Sequence, residues 1–333
     1  MESRTIGQNE AGQRFDKYLT KYLSKAPLSF IYKMLRKKNI TLNGKKAQGN
    51  EKLSLGDEVK FFLADETLLK FKEPKNEYTL QEEVPFTVIY ENDDVCFMNK
   101  PAGILSQKSK NEDVSMIEYF TSYLIKTNKL TPDDLETFHP AVANRLDRNT
   151  SGIIIGGKTL AGLQEMSEIL KNRNLHKYYI CLVDGVMEGT KRISGYLTKS
   201  ENHNKVTISD KNTDGSYFIE TQYRALGNNG KQTLVEVLLL TGRSHQIRAH
   251  LSSIGHPIIG DGKYGNPNIN KTFKRLYGLR SQFLHSYRLE MPVLSGTLKD
   301  LSGKKIVAGL PDNFTYILKK EGLLKCLHGI QED

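Results

Sequence analysis

Short runs of apolar, strand-forming residues recur through the last three quarters of the chain, with only occasional helical segments between them. Because these strands outnumber the helices and do not alternate regularly with them, the pattern predicts an α+β fold with a mixed, mainly antiparallel sheet. The predicted strands are PFTVIY at 85–90, DVCFMN at 94–99, SGIIIGG at 151–157, HKYYICLVDG at 176–185 and TLVEVLLL at 233–240. The predicted helices are LAGLQEMSEILKN at 160–172 and SHQIRAHLSSIG at 244–255, the second capped by Ser244 and followed by Gly255.

The first sixty residues have a different pattern, in which two amphipathic helices precede a turn-rich hairpin. The apolar stripe of the first helix is Phe15, Tyr18, Leu19, Tyr22 and Leu23, and that of the second is Ile31, Met34 and Leu35. Asn43-Gly44 and Gly56-Asp57 are turn signals between the short strands that follow. Exposed basic residues are predicted along the second helix at Lys33, Arg36, Lys37 and Lys38.

The charge of the chain is concentrated near its N-terminus. Lysine and arginine exceed aspartate and glutamate by ten overall. Between Gly12 and Phe62 there are twelve basic and four acidic residues, whereas residues 63–100 contain four basic and nine acidic ones. A basic surface of this kind favours a polyanionic partner such as RNA, although a solvated helix face has the same composition.

Other features of the sequence limit the class of protein. Cys96, Cys181 and Cys326 form no CxxC motif, so neither a disulfide framework nor a zinc site is predicted. No segment approaches the roughly 20 apolar residues of a membrane span, and the N-terminal segment lacks the apolar core of a signal peptide. We therefore expect a cytoplasmic monomer that makes no contact with a membrane.

Asp147 lies between two arginines and just before an apolar strand, in NRLDRNTSGIII at 144–155. Positive charge from Arg145 and Arg148 favours the ionised carboxylate, which can act as a nucleophile or a base. An isolated RLDR segment is more often a surface ion pair at a turn. The remaining motifs of the chain decide between these interpretations.

A second group of polar residues lies at a predicted strand-to-helix junction in TGRSHQIRAHLSSIGHPIIGDGKYG at 241–265. Such junctions favour binding because helix N-termini have unpaired N–H groups. His245 and His250 are five residues apart and do not share a helix face as metal ligands would, so no metal is predicted. The glycine-rich segments lack the spacing of a dinucleotide fingerprint or a P-loop, so no nucleotide cofactor is predicted.

These segments together resemble the RluA-type pseudouridine synthases, particularly the RluC/RluD branch that has an N-terminal S4 RNA-binding domain. The matching motifs follow the order of the family and cover most of residues 84–295. They are NKPAG at 99–103, RLDRNTSG at 145–152, KYYICLVDG at 177–185, LTGRSHQIRAHLSSIGHPIIGD at 240–261 and FLHSYRL at 283–289. The resemblance implies an S4-like domain with the start of a linker over 1–72 (core 12–62, linker 63–80) and a catalytic domain over 73–333.

The family resemblance also implies a reaction, the isomerisation of uridine to pseudouridine in structured RNA without a cofactor. The expected substrate is 23S large-subunit ribosomal RNA, with tRNA as the alternative. Asp147 would be the catalytic carboxylate, Arg248 its ionic partner, and Tyr179 the residue that stacks on the flipped base and assists removal of the C5 proton. Arg145 would fill the space that the flipped base leaves. Further RNA contacts are expected from Arg243, His245, Gln246, Ile247, Leu284 and the basic stripe of the second helix.

One position departs from the family pattern, because Asn144 stands where a histidine usually precedes the RLD arginine. The change puts the local loop geometry in question. Two functions of other classes also fit parts of the sequence: a non-catalytic RNA-binding assembly factor and a carboxylate-dependent hydrolase. The first conflicts with the joint presence of Asp147, Tyr179 and Arg248, and the second would need a further acid or a metal cluster.

Overall fold

The computed structural model describes residues 1–72, 79–199 and 205–330, whose strands form two separate sheets. The smaller sheet has four antiparallel strands in the order β1-β4-β2-β3. Its strands are β1 (Glu2–Thr5), β2 (Ile40–Leu42), β3 (Lys45–Lys46) and β4 (Glu58–Phe61), and the accompanying helices are α1 (Phe15–Tyr22), α2 (Leu28–Arg36) and α3 (Asp65–Phe71).

The two helices predicted near the N-terminus are confirmed, because every residue of their predicted apolar stripes is buried. Asn43 and Gly44 both have positive φ angles and form the predicted tight turn between β2 and β3. The basic residues at 33 and 36–38 are exposed on and just after α2.

The prediction of an irregular linker at 63–80 is wrong for its first part, where α3 forms. Leu68 of this helix is buried in the small core, and the ring of Phe71 lies 4.4 Å from that of Phe30. The helix has only seven residues, too few for a helical period to stand out in the sequence. Residues 73–78 of the predicted linker lie outside the described part of the chain.

The larger sheet confirms the predicted α+β class with mainly antiparallel pairing. Its strands follow the path β11-β10-β12-β13-β9-β14-β8-β6-β5, with β7 added to β8 and β15 to β14. Only the pairing of β8 with β14 is parallel in the described part of the sheet. The strands are β5 (Thr87–Glu91), β6 (Val95–Lys100), β7 (Ala141–Val142), β8 (Ser151–Gly157), β9 (His176–Asp184), β10 (Thr190–Lys199), β11 (Val206–Ser209), β12 (Tyr217–Asn228), β13 (Gln232–Leu239), β14 (Leu284–Glu290) and β15 (Lys305–Val307).

Five α-helices accompany the larger sheet in the described residues. They are α4 (Met116–Lys126), α5 (Leu160–Lys171), α6 (Gln246–Ser253), α7 (Pro267–Tyr277) and α8 (Asp312–Lys320). The predicted cap at Ser244 is wrong, because α6 begins after His245, whose φ of 57° turns the chain sharply into the helix. Gly255 follows the end of α6 as predicted and has a φ of 83°. None of the described helices combines the length and the apolar character that a membrane crossing requires.

The centre of the larger sheet brings together segments that are distant in sequence. All residues of β8 are buried, and β8 runs between β6 and β14. Gly152 has a φ of 108°, and a Cβ atom there would lie 2.2 Å from the backbone oxygen of Ser286. Glycine at this position therefore allows the close approach of β8 and β14, which fixes the loop before β8 against the rest of the sheet.

Two polar contacts join the N-terminal part of the chain to the larger domain. Arg4 Nη2 donates to Glu136 Oε2 at 3.0 Å, and the hydroxyl of Thr137 donates to Glu10 Oε1 at 2.5 Å. Glu10 and Thr137 are both buried. Removal of the N-terminal segment would therefore expose polar groups of the larger domain, and point substitutions are the better test of its function.

Candidate active site

A cleft of about 830 Å³ opens beside the loop that contains Asp147. Its volume is in the range of sites that enclose small ligands. The cleft is lined by nine of the residues singled out from the sequence: Arg145, Asp147, Tyr179, Arg243, His245, Gln246, Ile247, Arg248 and Leu284. The predicted basic stripe of Lys33, Arg36, Lys37 and Lys38 belongs to the N-terminal domain and does not line this cleft.

Asn144 holds the beginning of the Asp147 loop against β8. Its Nδ2 donates to the oxygen of Ile153 at 3.1 Å, and its Oδ1 accepts the N–H of Ile155 at 2.8 Å. A side-chain amide supplies one donor and one acceptor to a strand without any change of protonation. The loop geometry that the Asn144 substitution put in question is therefore fixed by two hydrogen bonds.

Ser106 and Lys100 also hold the Asp147 loop, through hydrogen bonds to its backbone. The Ser106 hydroxyl donates to the oxygen of Leu146 at 2.8 Å and accepts the N–H of Leu146 at 2.9 Å. Lys100 is fully buried, and its Nζ donates to three backbone oxygens, including that of Arg148 at 3.1 Å. Burial lowers the pKa of Lys100 to about 7. In the ammonium form, each of its three N–H groups donates to one of these backbone oxygens.

Arg248 connects two carboxylates at the base of the cleft. Its Nη1 donates to Asp147 Oδ2 at 2.7 Å, while its Nε and Nη2 donate to the two oxygens of Asp261 at 2.7 and 2.8 Å. Asp261 is fully buried, whereas the side chain of Asp147 is 26% exposed. The bidentate pair fixes the guanidinium plane, so the Nη1 donor orients Asp147, the carboxylate of the two that a ligand in the cleft can reach.

Asp261 is the main site residue that the sequence interpretation missed. Burial by itself would raise the pKa of Asp261, but the bonds from Arg248 and from the N–H groups of Lys263 and Tyr264 outweigh burial and lower it. The available signal was its place just after the apolar pair Ile258-Ile259 and Gly260, at the end of the motif at 240–261. A buried acidic residue needs a basic partner, and Arg248 lies only 13 positions before Asp261.

Tyr179 and His245 line the same cleft as Asp147. Tyr179 is 7% exposed, and burial raises its pKa to about 12, so the phenol remains protonated at neutral pH. His245 Nε2 lies 3.8 Å from Asp147 Oδ2, and its Nδ1 is 3.0 Å from the hydroxyl of Tyr264. Burial lowers the pKa of His245, so a neutral imidazole faces the carboxylate.

Gln246 has a structural role that differs from the predicted RNA contact. Its Oε1 accepts from the Thr241 hydroxyl and the Arg243 N–H, and its Nε2 donates to Glu220 O and Thr221 Oγ1. Gln246 is only 2% exposed, and these four bonds use all of its amide hydrogens and acceptor positions. We therefore assign Gln246 to the positioning of the loop between β13 and α6.

The cleft combines apolar walls with strong positive charge. Ile247 and Leu284 are each 4% exposed and form part of the predicted apolar wall. Among the described residues, the charged side chains that line the cleft are one acid, Asp147, and six bases: Arg145, Arg148, Lys177, Arg243, Arg248 and Lys263. A flat apolar surface beside a cationic rim suits a nucleotide, which has a planar base and an anionic phosphate.

A buried histidine behind the site predicts how stability depends on pH. His285 Nδ1 lies 2.8 Å from Ser151 Oγ, and burial lowers the pKa of His285 to about 4. The unfolded chain has a histidine pKa near 6.5 and takes up a proton below that pH, whereas the folded protein does not. We expect the free energy of unfolding to fall by up to about 3 kcal/mol between roughly pH 6.5 and 4 because of this group.

Urea titrations at several pH values would measure this effect. His285→Asn is expected to be less stable at pH 7 but to lose stability less steeply with acid, because the titrating group is gone. Parallel pH profiles for the variant and the wild-type protein would show that His285 does not contribute. The difference between the two profiles removes the contribution of carboxylates, which titrate in both proteins.

Comparison with known proteins identifies relatives of this chain. Residues 94–253 match the family model described as RNA pseudouridylate synthase. The ribosomal large subunit pseudouridine synthase C of Haemophilus influenzae is 32% identical over 308 residues, with 89% of each chain covered. The ribosomal large subunit pseudouridine synthase D of Borreliella burgdorferi is 29% identical over 299 residues, covering 89% of this chain and 87% of that protein.

A solved structure supports the fold of the larger domain. The human RNA pseudouridylate synthase domain containing 4 superposes with a TM-score of 0.56 at 21% sequence identity, covering 72% of this chain and 92% of that chain. The aligned relatives span most of both sequences. The chain therefore belongs to the RluA-type RNA pseudouridine synthases.

Proposed function

We propose that this protein isomerises specific uridines to pseudouridine in 23S large-subunit ribosomal RNA. The observation that supports this most directly is the ionised pair in which Arg248, itself anchored on buried Asp261, presents Asp147 to the cleft. The names of the relatives in Haemophilus and Borreliella assign the large ribosomal subunit to those proteins. Both alignments cover 89% of this chain, which supports the same substrate class here.

The reaction requires a small number of groups. The N1–C1′ bond of uridine breaks, the uracil turns, its C5 joins C1′, and the proton of C5 leaves while N1 gains one. No atom is added or lost overall, so neither an oxidant nor a phosphoryl donor is consumed. An ionised carboxylate next to C1′ assists the first bond cleavage, either by attack on the nucleoside or by stabilising positive charge as the base leaves.

The cleft supplies a residue for each of these steps. Asp147 is the proposed catalytic carboxylate, held by Arg248 at 2.7 Å. The Tyr179 side chain lines the cleft, and its hydroxyl is protonated at neutral pH. To accept the C5 proton, the hydroxyl must give up its own proton in the same step, and N1 of the detached uracil is the group that gains one. Arg145 is exposed at the rim, where its guanidinium suits the space left by the flipped base.

Tritium release tests this proposal directly, because isomerisation replaces the hydrogen at C5 of uridine. Purified protein is incubated with 23S ribosomal RNA transcript, tRNA or messenger RNA labelled with tritium at uridine C5. We expect release from the 23S transcript alone, and sequencing of the product would locate the modified uridine. Release from tRNA alone would support the same chemistry on the other substrate, and release from no RNA would contradict the proposed activity.

We also propose that the N-terminal domain, about residues 1–72, is an S4-like RNA-binding module. Its support is the exposed basic stripe of Lys33, Arg36 and Lys37 on and beside α2. Basic side chains that contact phosphates release counterions, so log affinity falls with log salt by about 0.7 for each contact with single-stranded RNA.

Charge reversal of the stripe is expected to weaken RNA binding and flatten its salt dependence. The triple variant Lys33→Glu, Arg36→Glu and Lys37→Glu should lose at least about tenfold in affinity at low salt, with a slope lower by up to about 2. Helix α7 supplies a matched control in Lys271, Lys274 and Arg275, which have the same spacing and exposure in the larger domain. Equal effects of the two triple variants would contradict a specific role of the stripe.

A further inference from the structure

Tyr217, the first residue of β12, lies against Arg243, which lines the cleft. The N–H of Thr241 donates to the oxygen of Glu220 at 3.2 Å, so the chain after β13 continues beside the start of β12. This pairing brings Arg243 against Tyr217, with the guanidinium carbon 4.1 Å from the ring centroid. Tyr217 is 50% exposed and Arg243 is also exposed, so the stacked pair is accessible to a ligand.

The adjacent residue of β12 shows that this arrangement is not general to the strand. Phe218 is equally exposed but points to the opposite face of the sheet. Its ring packs against Tyr196 of the neighbouring strand, at 5.8 Å between centroids. Phe218 therefore has an aromatic partner within the sheet, whereas Tyr217 supports a cation that lines the cleft.

Lys177 extends the positive surface from Arg243 into the cleft. Its Nζ lies 3.4 Å from the position that a Cβ atom would take on Gly242, directly before Arg243. Lys177 is half-buried and lines the cleft, and its ammonium group has no hydrogen-bond acceptor or carboxylate partner within the described residues. Burial and the neighbouring charge of Arg173 lower the pKa of Lys177. An ammonium group in this position gains most from an anionic ligand.

Lys177 and Arg243 lack the carboxylate partners that neutralise Arg248 in the described part of the chain. Arg248 is neutralised by Asp147 and Asp261, whereas neither Lys177 nor Arg243 pairs with a carboxylate in the described part of the chain. A planar cation held on an aromatic ring offers a preorganised stacking surface, because its conformational freedom is already reduced. A free cation and a stacking surface side by side match the phosphate and the base of one nucleotide.

We propose that Tyr217, Arg243 and Lys177 form a binding site for one unpaired nucleotide that flanks the target uridine. The base stacks on the Arg243–Tyr217 pair, and its phosphate binds Lys177. The inference rests on the proposed function, since the flanking nucleotide is defined relative to the uridine at Asp147. It adds a subsite on the β12 side of the cleft that selects substrates by an unpaired neighbour of the target.

The test compares two exposed aromatic residues of the same strand. Tyr217→Ala is expected to weaken RNA binding by about tenfold and to raise KM for tritium release by a similar factor, since base stacking on an aromatic side chain has this order of effect. Phe218→Ala is the matched control and should bind RNA like the wild-type protein. Tyr217→Phe keeps the ring and should retain affinity, whereas Arg243→Lys keeps the charge and should lose stacking.

The RNA also provides a control. A substrate hairpin with an abasic residue at one flanking position should bind wild-type protein and Tyr217→Ala equally, because the stacked base is absent in both complexes. Equal affinity of Tyr217→Ala and Phe218→Ala for the intact hairpin would overturn the proposal. A defect that persists with an abasic residue at every flanking position would also overturn it, since the ring would then act only on protein structure.

Binding is measured separately from catalysis, so that the two proposals fail in different ways. Kd values for a single-stranded, uridine-rich RNA decamer are determined for all variants. A tenfold loss for Tyr217→Ala in this assay would support the nucleotide site even if the wild-type protein released no tritium, a result that contradicts only the proposed activity. If Tyr217→Ala does not fold, Arg243→Lys and Lys177→Gln decide the question by the same comparison.

Discussion

Asp147→Asn is expected to abolish pseudouridine formation while the protein still folds and binds RNA. The substitution keeps the shape of the side chain, and its carbonyl oxygen can still accept the hydrogen bond from Arg248. Arg248 also keeps its bidentate partner Asp261, so no buried charge loses its counterion. Loss of the reacting carboxylate should lower the rate by at least roughly 10³-fold, as is usual when a nucleophile or its base is removed.

The measurement is single-turnover tritium release at saturating protein, with RNA affinity determined in parallel. Asp210→Asn, at an exposed aspartate outside the cleft, serves as the control and should react at the wild-type rate. Turnover of Asp147→Asn within about tenfold of the wild-type protein would contradict the assignment of Asp147. Loss of RNA binding together with activity would indicate that the carboxylate acts mainly in shaping the cleft.

The core strands could be predicted from the sequence because burial on both faces leaves long apolar runs. SGIIIGG is completely buried and corresponds to β8 residue for residue. By contrast, β10, β12 and the buried β14 were missed, since polar residues interrupt the apolar run of each strand. Hydrogen bonds to neighbouring strands stabilise these segments, and the strand propensities of single residues do not include such contacts.

The candidate site could be predicted only in part, for a similar reason. Motif resemblance identified Asp147, Tyr179 and Arg248, and the structure places all three around one cleft. The residues that hold this arrangement, such as Ser106 and Asp261, act across 40 and 13 positions of sequence respectively. Their roles depend on tertiary hydrogen bonds, which no local pattern reports, and the same holds for the internal bonds of Gln246.

The pair of Arg248 and Asp261 predicts the largest loss of stability from a single substitution. Arg248→Met would remove the cationic partner of the Asp261 carboxylate, which is fully buried and would keep the backbone N–H groups of Lys263 and Tyr264 as donors. Breaking a buried ion pair in this way costs about 3–5 kcal/mol of unfolding free energy. Activity should be lost as well, because the donor that orients Asp147 is removed.

A double variant separates the structural role of Arg248 from its catalytic one. Adding Asp261→Asn to Arg248→Met removes the unpaired buried charge, while the new amide oxygen still accepts from the backbone at 263 and 264. We expect the double variant to regain at least half of the lost stability in urea denaturation and to remain inactive in tritium release. Wild-type stability of the single variant would contradict the buried-pair argument. Recovery of activity in the double variant would instead show that Arg248 serves the fold alone, and that Asp147 needs no cationic partner to react.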